Sequence, residues 1–100
     1  MGYYTKYELE IISGNDYETD YEREISVLAD YYNCFNDAIK WYSHKEDMIK
    51  YSKKYPSVLF LLKGEGEETG DIWRAYFQNG KMFRTKATIL FEEFSIEKLQ

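Results

Sequence analysis

Three glycines between positions 64 and 70 are the part of this sequence that comes closest to a phosphate-binding loop. Such a loop needs closely spaced glycines whose backbone N–H groups cradle the phosphate at the start of a helix. Here the spacing is GxGxxxG, and no helical periodicity follows Gly70. The acids in and beside the stretch would repel a phosphate: Glu65, Glu67, Glu68 and Asp71. We therefore expect no nucleotide cofactor and interpret the stretch from Gly64 to Gly70 as an acidic loop that ends a strand.

A second acidic stretch alternates like the start of a calcium-binding loop, with Asp16, Glu18 and Asp20 at every other position. The helix–loop–helix calcium motif requires glycine at its sixth position and glutamate at its twelfth. Tyr21 and Val27 stand at those positions here. The sequence therefore does not predict a dedicated calcium site.

The remaining side chains with metal or nucleophile chemistry are one histidine, His44, and one cysteine, Cys34. Zinc sites and Cys/His catalytic pairs need several such residues, or a geometry that one pair ten positions apart does not indicate. We expect His44 near a helix cap and Cys34 as a small buried residue. The sequence thus predicts no metal site, no cofactor and no catalytic residues.

The elements that position these residues are clearest in the second half. Pro56 ends whatever precedes it, and the apolar run Ser57–Leu62 predicts a central strand. Asn79-Gly80 predicts a two-residue hairpin between strands at 71–78 and 81–90. This turn places four pairs of residues opposite each other: Phe77 and Met82, Tyr76 and Phe83, Arg74 and Thr85, Trp73 and Lys86.

The hairpin has two faces, and we assign the core to the face that carries Ile72, Tyr76 and Phe83, with Ala87 and Ile89 further along. The opposite face combines apolar with basic side chains: Trp73, Ala75, Phe77, Met82, Arg84 and Lys86. Monomers rarely leave a large apolar patch exposed. We therefore expect Trp73, Phe77 and Met82 to contact a partner, with a homodimer as the default.

The first half predicts one strand and two helices. Alternation from Tyr3 to Ile11 predicts a strand with its odd positions inward. Two capping boxes, Thr19 with Glu22 and Ser43 with Glu46, predict helix starts. The expected apolar stripes are Tyr21, Ile25, Leu28 and Tyr32 in the first helix, and Met48, Tyr51 and Tyr55 in the second. Residues 38–42 favour a short strand, and residues 91–100 a helical turn that packs back on the body.

This order of elements predicts a single α+β domain over residues 1–100. We expect a largely antiparallel sheet of four or five strands with two helices packed on one face, a variant of the ferredoxin-like fold. Aromatic residues make up 19% of the chain, and 11 of them are tyrosines. They are interpreted either as an aromatic core or as an interaction surface.

Composition also limits the class of partner and the location. A net charge of −5 argues against a nucleic-acid binder that depends on phosphate contacts. One cysteine fits a reducing compartment, and the polar N-terminal stretch lacks the apolar region of a signal peptide. The longest apolar run is too short to span a membrane. We expect a cytoplasmic protein that binds neither nucleic acid nor membrane.

The acid is concentrated in two clusters, one at residues 16–24 and one at residues 65–71, each with a net charge of −4. The first follows the first strand, and the second follows the strand at 58–62. If helical crossovers make these strands parallel, both clusters lie at the same end of the sheet. They would then form one acidic surface that steers and holds a basic partner. The alternative is that the acids only keep the protein soluble.

A set of residues in the second half carries a family resemblance: Lys40-Trp41-Tyr42, His44, Glu46-Asp47-Met48, Ser52, Tyr55-Pro56, Phe60, Gly64-Glu65-Gly66-Glu67, Gly70-Asp71, Trp73, Tyr76-Phe77 and Asn79-Gly80-Lys81. Over residues 38–91 the chain resembles small uncharacterised proteins of bacteriophages and mobile elements. It is also distantly similar to YubB-type ferredoxin-like domains. The resemblance implies a small α+β fold and a phage or plasmid origin, and it implies no catalytic residues.

These features together favour a non-catalytic acidic binding protein of phage origin. The expected partner is a basic, nucleic-acid-binding host defence effector, which the protein would inhibit in an anti-CRISPR-like role. The alternative is a structural or housekeeping module that self-associates through the aromatic face of the hairpin. A small hydrolase or nucleotide-binding enzyme is the third and least supported class.

Overall fold

The computed structural model describes residues 3–30 and 34–87. Four strands and two helices follow one another along the chain: β1 (Thr5–Ser13), α1 (Tyr21–Leu28), α2 (His44–Lys54), β2 (Leu59–Gly66), β3 (Ile72–Gln78) and β4 (Lys81–Lys86). The strands form one sheet in the order β1-β2-β3-β4, and every neighbouring pair is antiparallel. This confirms the predicted α+β fold, as a ferredoxin-like variant with both helices between the first two strands.

The core lies between the two helices and one face of the sheet. That face is formed by alternate residues of the strands, including Tyr7, Phe60, Leu62 and Phe77. The helices contribute the rest of the cluster, including Tyr21, Ile25, Met48 and Tyr51. The predicted inward positions of β1 and most of the predicted helix stripes are therefore confirmed.

The predicted hairpin is confirmed in both its turn and its pairing. Asn79 and Gly80 have φ angles of 49° and 79°, as a type I′ turn requires. Phe77 lies opposite Met82 and Trp73 lies opposite Lys86, as predicted. β2 lies between β1 and β3, which confirms that the apolar run forms a central strand.

The assignment of the hairpin faces is wrong, because the structure buries the face that was expected to be exposed. Trp73 is 3% exposed and Phe77 is fully buried, whereas Ile72 is 44% and Phe83 66% exposed. Trp73 pairs with Gly64 across the sheet, and a Cβ at that glycine would overlap the indole ring. The absent side chain of Gly64 therefore leaves room for Trp73 on the helix side.

Both capping boxes are also wrong. Asp20 caps α1 by accepting a hydrogen bond from the backbone N–H of Arg23, while the Thr19 hydroxyl donates to Asp16. Ser43 is the N-cap residue of α2, as predicted, but its hydroxyl donates to the Asp47 carboxylate at 2.9 Å and makes no hydrogen bond to the helix backbone. In each case a nearby carboxylate accepts the hydroxyl hydrogen bond.

Several other expectations change in detail. β2 continues to Gly66, so the acidic connection to β3 is shorter than predicted. Residues 38–42 contribute one isolated bridge, between Ile39 and Thr5, instead of a strand. Leu28, which was expected in the apolar stripe of α1, is 38% exposed. The predictions for Tyr32, Ile89 and residues 91–100 lie outside the described residues.

Candidate binding surface

The acids of the second cluster lie at the end of β2, which holds Glu65, and in the connection from β2 to β3, which holds Glu67, Glu68 and Asp71. Hydrogen bonds within the connection fix its backbone. The N–H of Gly66 donates to the carbonyl of Asp71 at 2.8 Å, and the N–H of Asp71 donates to the carbonyl of Glu68 at 3.1 Å. Gly70 adopts a φ of 85°, a conformation that side chains disfavour. We call Glu65, Glu67, Glu68 and Asp71 the acidic loop.

Two tyrosines at the start of the chain hold this loop in place. The Tyr3 hydroxyl donates to Oδ2 of Asp71 at 2.6 Å and accepts from the N–H of Glu68 at 3.1 Å. The hydrogen bond to this carboxylate raises the pKa of Tyr3, so the hydroxyl keeps its proton. The N–H of Tyr4 donates to Oε1 of Glu67 at 3.1 Å. Residues more than sixty positions away therefore fix the geometry of the loop.

The carboxylates of the acidic loop divide into two groups. Asp71 is half-buried and accepts the Tyr3 hydrogen bond, so its role is structural. Glu65, Glu67 and Glu68 are exposed. None of these three glutamates forms an ion pair with another residue of the described ranges. They are the acidic side chains of the loop that a partner could reach.

The first acidic cluster lies at the other end of the sheet. β1 and β2 are antiparallel, with Thr5 opposite Gly66 and Ser13 opposite Leu59. The residues after Ser13 therefore emerge beside the start of β2, away from its acidic end. The expected single acidic surface required parallel strands and is wrong. The physical reason is that two consecutive helices, rather than one crossover helix, return the chain for β2.

Two acids of the first cluster already have local roles. Asp16 accepts hydrogen bonds from the hydroxyl of Thr19 at 3.1 Å and from the N–H of Glu18 at 3.0 Å, which shapes the turn before α1. Asp20 caps that helix. Glu18 is exposed. Asp16 and Asp20 are thus used within the fold, and only Glu18 among the three predicted site residues is wholly free of such a role.

The predicted aromatic contact surface does not exist as predicted, because Trp73, Phe77 and Met82 pack toward the helices. The exposed apolar residues of the hairpin are Ile72 and Phe83, on the opposite face. Alternation identifies which residues share a face, but it does not decide which face the helices cover.

Trp73 belongs to an aromatic cluster with His44 that no pattern in the sequence predicted. The two rings stack with centroids 5.0 Å apart, and the Arg84 guanidinium lies 4.4 Å from the centroid of the Trp73 ring. Nδ1 of His44 is 3.0 Å from the carbonyl oxygen of Trp41. Because a carbonyl only accepts, this contact assigns the proton to Nδ1. Burial lowers the pKa of His44, and the charge of Arg84 acts in the same direction.

Neither cysteine nor metal chemistry has support in the described ranges. Cys34 is fully buried, and burial raises the pKa of its thiol, which disfavours the reactive thiolate. No group of three or more His, Cys, Asp or Glu side chains in the described part of the chain could hold a metal ion. No described helix is long and apolar enough to cross a bilayer.

Comparison of the chain with protein-family models, curated proteins and solved structures gave no match. The resemblance to phage proteins and to YubB-type domains therefore stays a prediction.

Proposed function

We propose that the protein is a non-catalytic binding protein that holds a basic protein partner through its acidic loop. The observation that carries this proposal is the combination of exposed charge with a fixed backbone. Glu65, Glu67 and Glu68 are exposed and lack ion pairs with described residues. The Tyr3 hydroxyl bridges Asp71 and Glu68 beneath them.

A fixed acidic loop favours binding in two ways. Carboxylates that share one sign of charge accelerate the encounter with a basic surface, an effect that salt weakens. A loop that is already ordered loses less conformational entropy when the partner binds. The first effect raises the association rate, and the second slows dissociation.

The proposed partner is a basic, nucleic-acid-binding host effector whose phosphate site the acidic loop would occupy. Carboxylates can pair with the same arginine and lysine side chains that contact phosphate. A phage or plasmid origin and an inhibitory, anti-CRISPR-like role in the host cytoplasm belong to this proposal through the resemblance over residues 38–91.

Charge reversal tests the proposal. The loop variant replaces Glu65, Glu67 and Glu68 with lysine. A matched control replaces three exposed acids elsewhere with lysine, and therefore makes the same change in net charge: Glu18, Glu22 and Asp37. Each tagged protein is used to capture partners from host lysate, and the captured protein is then purified and titrated at several salt concentrations.

We expect the loop variant to lose the captured partner while the control keeps it, and salt to weaken the native complex. Equal losses in both variants would mean that net charge alone matters. Binding that survives loop reversal and high salt would contradict the proposal. Circular dichroism of each variant establishes that the fold is intact.

Self-association is the second candidate function, and the exposure of Phe83 and Ile72 favours it. Both residues lie on the sheet face that points away from the helix core. If this face joins two copies, the solution mass should be that of a dimer, and Phe83→Ser should reduce it to a monomer. Because the contact would be apolar, added salt should not dissociate it.

A further inference from the structure

β4 is an edge strand whose outer side has no partner among the described residues. It pairs with β3 on one side only and stands last in the sheet. An edge strand exposes backbone N–H and C=O groups that can bind another extended chain. Among the described residues, no backbone group pairs with this outer side of β4, which we call the free edge.

The ladder between β3 and β4 identifies which groups face outward. The N–H of Ala87 donates to the carbonyl of Ile72 at 2.9 Å, which marks a hydrogen-bonded pair. Bonded and non-bonded pairs alternate along an antiparallel ladder. Counting back in steps of two, residues 85, 83 and 81 bond to β3. The backbone groups of Met82, Arg84 and Lys86 consequently point to the free edge.

The same edge is basic in a protein whose net charge is −5. Lys81, Arg84 and Lys86 are exposed, and β4 contains no acidic residue. No carboxylate of the described ranges lies within ion-pair distance of these three side chains. The Arg84 guanidinium rests over the Trp73 ring, which supports it on the helix side of the edge.

We propose that the free edge of β4 binds an acidic, extended segment of a partner protein as a fifth strand. The backbone groups of Met82, Arg84 and Lys86 would supply the hydrogen bonds of strand addition. Carboxylates of the added segment would face Arg84 and Lys86 on one side of the sheet. Lys86 borders the acidic loop, since it lines one surface pocket with Glu68 and Asp71, whereas Met82 and Arg84 lie further along the edge and do not line that pocket. The β4 edge selects a ligand segment of the opposite charge to the partner of the acidic loop.

A second copy of β4 is a poorer occupant, because like charges on directly paired strands destabilise the pairing. Self-pairing would bring Lys81, Arg84 and Lys86 of two chains together. Lysine on an edge is a common defence against such pairing. That defence works against a basic strand and not against an acidic one.

The test uses a blocked seven-residue peptide that alternates glutamate with valine, and a lysine–valine peptide of equal length as the control. Amide hydrogen exchange of the full chain is followed by NMR. We expect the glutamate peptide to slow exchange at Met82, Arg84 and Lys86 by about tenfold or more, since each amide gains a hydrogen bond. The lysine peptide should leave these amides unchanged.

Two substitutions at one position separate charge from backbone bonding. Arg84→Gln removes the charge and keeps the outward N–H, so it should weaken peptide binding in part. Arg84→Pro also removes that donor without breaking a bond to β3, and it should weaken binding further. If the proline variant does not fold, the double variant Arg84→Glu, Lys86→Glu serves instead, and it should reverse the preference toward the lysine peptide.

Three results would overturn the proposal. The glutamate peptide could leave the three amides unprotected at millimolar concentration. The amides could already be protected in dilute protein without peptide, which would mean that the chain covers its own edge. Protection that rises with protein concentration alone would identify a second copy as the occupant.

Discussion

His44 lies against the indole ring of Trp73, with 21° between the ring planes. Its Nδ1–H donates to the carbonyl of Trp41, so the neutral ring is satisfied in this position. Protonation of Nε2 would place a cation in a half-buried site beside Arg84. The site therefore favours the neutral imidazole over the protonated one.

This stack makes the stability of the fold depend on pH near the ordinary pKa of histidine. Burial lowers the pKa of His44 in the folded protein, so the unfolded chain binds a proton at higher pH than the folded chain does. Stability is then lost as the pH falls from above 6.5 toward the folded pKa. Urea unfolding between pH 8 and pH 5 should show a decreasing free energy of unfolding.

His44 is the only histidine in the sequence, so one substitution isolates the histidine contribution to the pH dependence of stability. His44→Phe keeps a ring on Trp73 but cannot titrate, and it should remove the decrease between pH 7 and pH 5.5. If the decrease in the free energy of unfolding survives this substitution, the stack does not cause it.

Glu24 joins the two helices and predicts a separate acid transition. Its Oε1 accepts from the hydroxyls of Tyr51 at 2.9 Å and Tyr55 at 2.7 Å, and Lys54 Nζ lies 3.6 Å away. The hydrogen bond from Tyr55 is the largest cause that lowers the pKa of Glu24. Its contribution is present above the ordinary glutamate pKa of about 4.5 and is lost as the pH falls through the folded value.

The Glu24 prediction is tested with Tyr51→Phe, which removes one hydroxyl from a buried ring. At pH 7 the loss of a hydrogen bond to a carboxylate should cost about 1–2 kcal/mol in the free energy of unfolding. Below the folded pKa of Glu24 this difference should shrink. Tyr17→Phe is the control for replacing tyrosine with phenylalanine at an exposed position. A cost that does not change with pH would contradict a role for the charged carboxylate.

The turn at Asn79 and Gly80 predicts a position-specific cost for β-branched residues. Both residues have positive φ, which valine resists. Asn79→Val and Gly80→Val should each cost roughly 1–3 kcal/mol in the free energy of unfolding. Lys81→Val, one position further in an extended strand, should cost little. An unchanged melting temperature in the Gly80 variant would mean that the turn adopts another geometry in solution.

The hairpin also illustrates which parts of this fold could be read from the sequence. Asn79-Gly80 specifies a turn locally, and the turn fixes the register from Phe77 to Lys86. The choice of face depends on Gly64, a residue in another strand whose missing side chain accommodates Trp73. Because aromatic residues occur on both faces of the hairpin, alternation alone could not make that choice.

The candidate site, like the hairpin, could be predicted from the sequence only in part. The acids of the loop are visible in the sequence, and so is their cluster between two strands. The sequence does not show that Tyr3 supports the loop. Tyr3 is 68 positions from Asp71, and the two residues come into contact because β1 pairs with β2. The two acidic clusters lie at opposite ends of the sheet because β1 and β2 are antiparallel. Two consecutive helices set this strand direction, and it cannot be predicted from composition.

The support that Tyr3 gives the acidic loop leads to the last prediction, in which Tyr3→Phe loosens the loop without unfolding the protein. The substitution removes both the donor to Asp71 and the acceptor for the N–H of Glu68. Amide exchange should therefore accelerate at Glu68 and Asp71, while exchange in the central strand β2 stays unchanged.

Tyr4→Phe is the matched control for this loss of a hydroxyl at the neighbouring position. The Tyr4 contact to the loop is made by its backbone N–H, which the substitution keeps, and its ring stays available to the Lys40 ammonium. Exchange at Glu68 should therefore remain as in the native protein.

If the loop exists to hold a basic partner in one geometry, Tyr3→Phe should mainly speed dissociation of that partner, because the charges that steer association remain. Unchanged amide exchange at Glu68 and Asp71 would show that the hydrogen bonds within the turn keep it ordered without Tyr3. Faster amide exchange with an unaltered dissociation rate would show that the partner recognises the charge of the loop and not its fixed geometry.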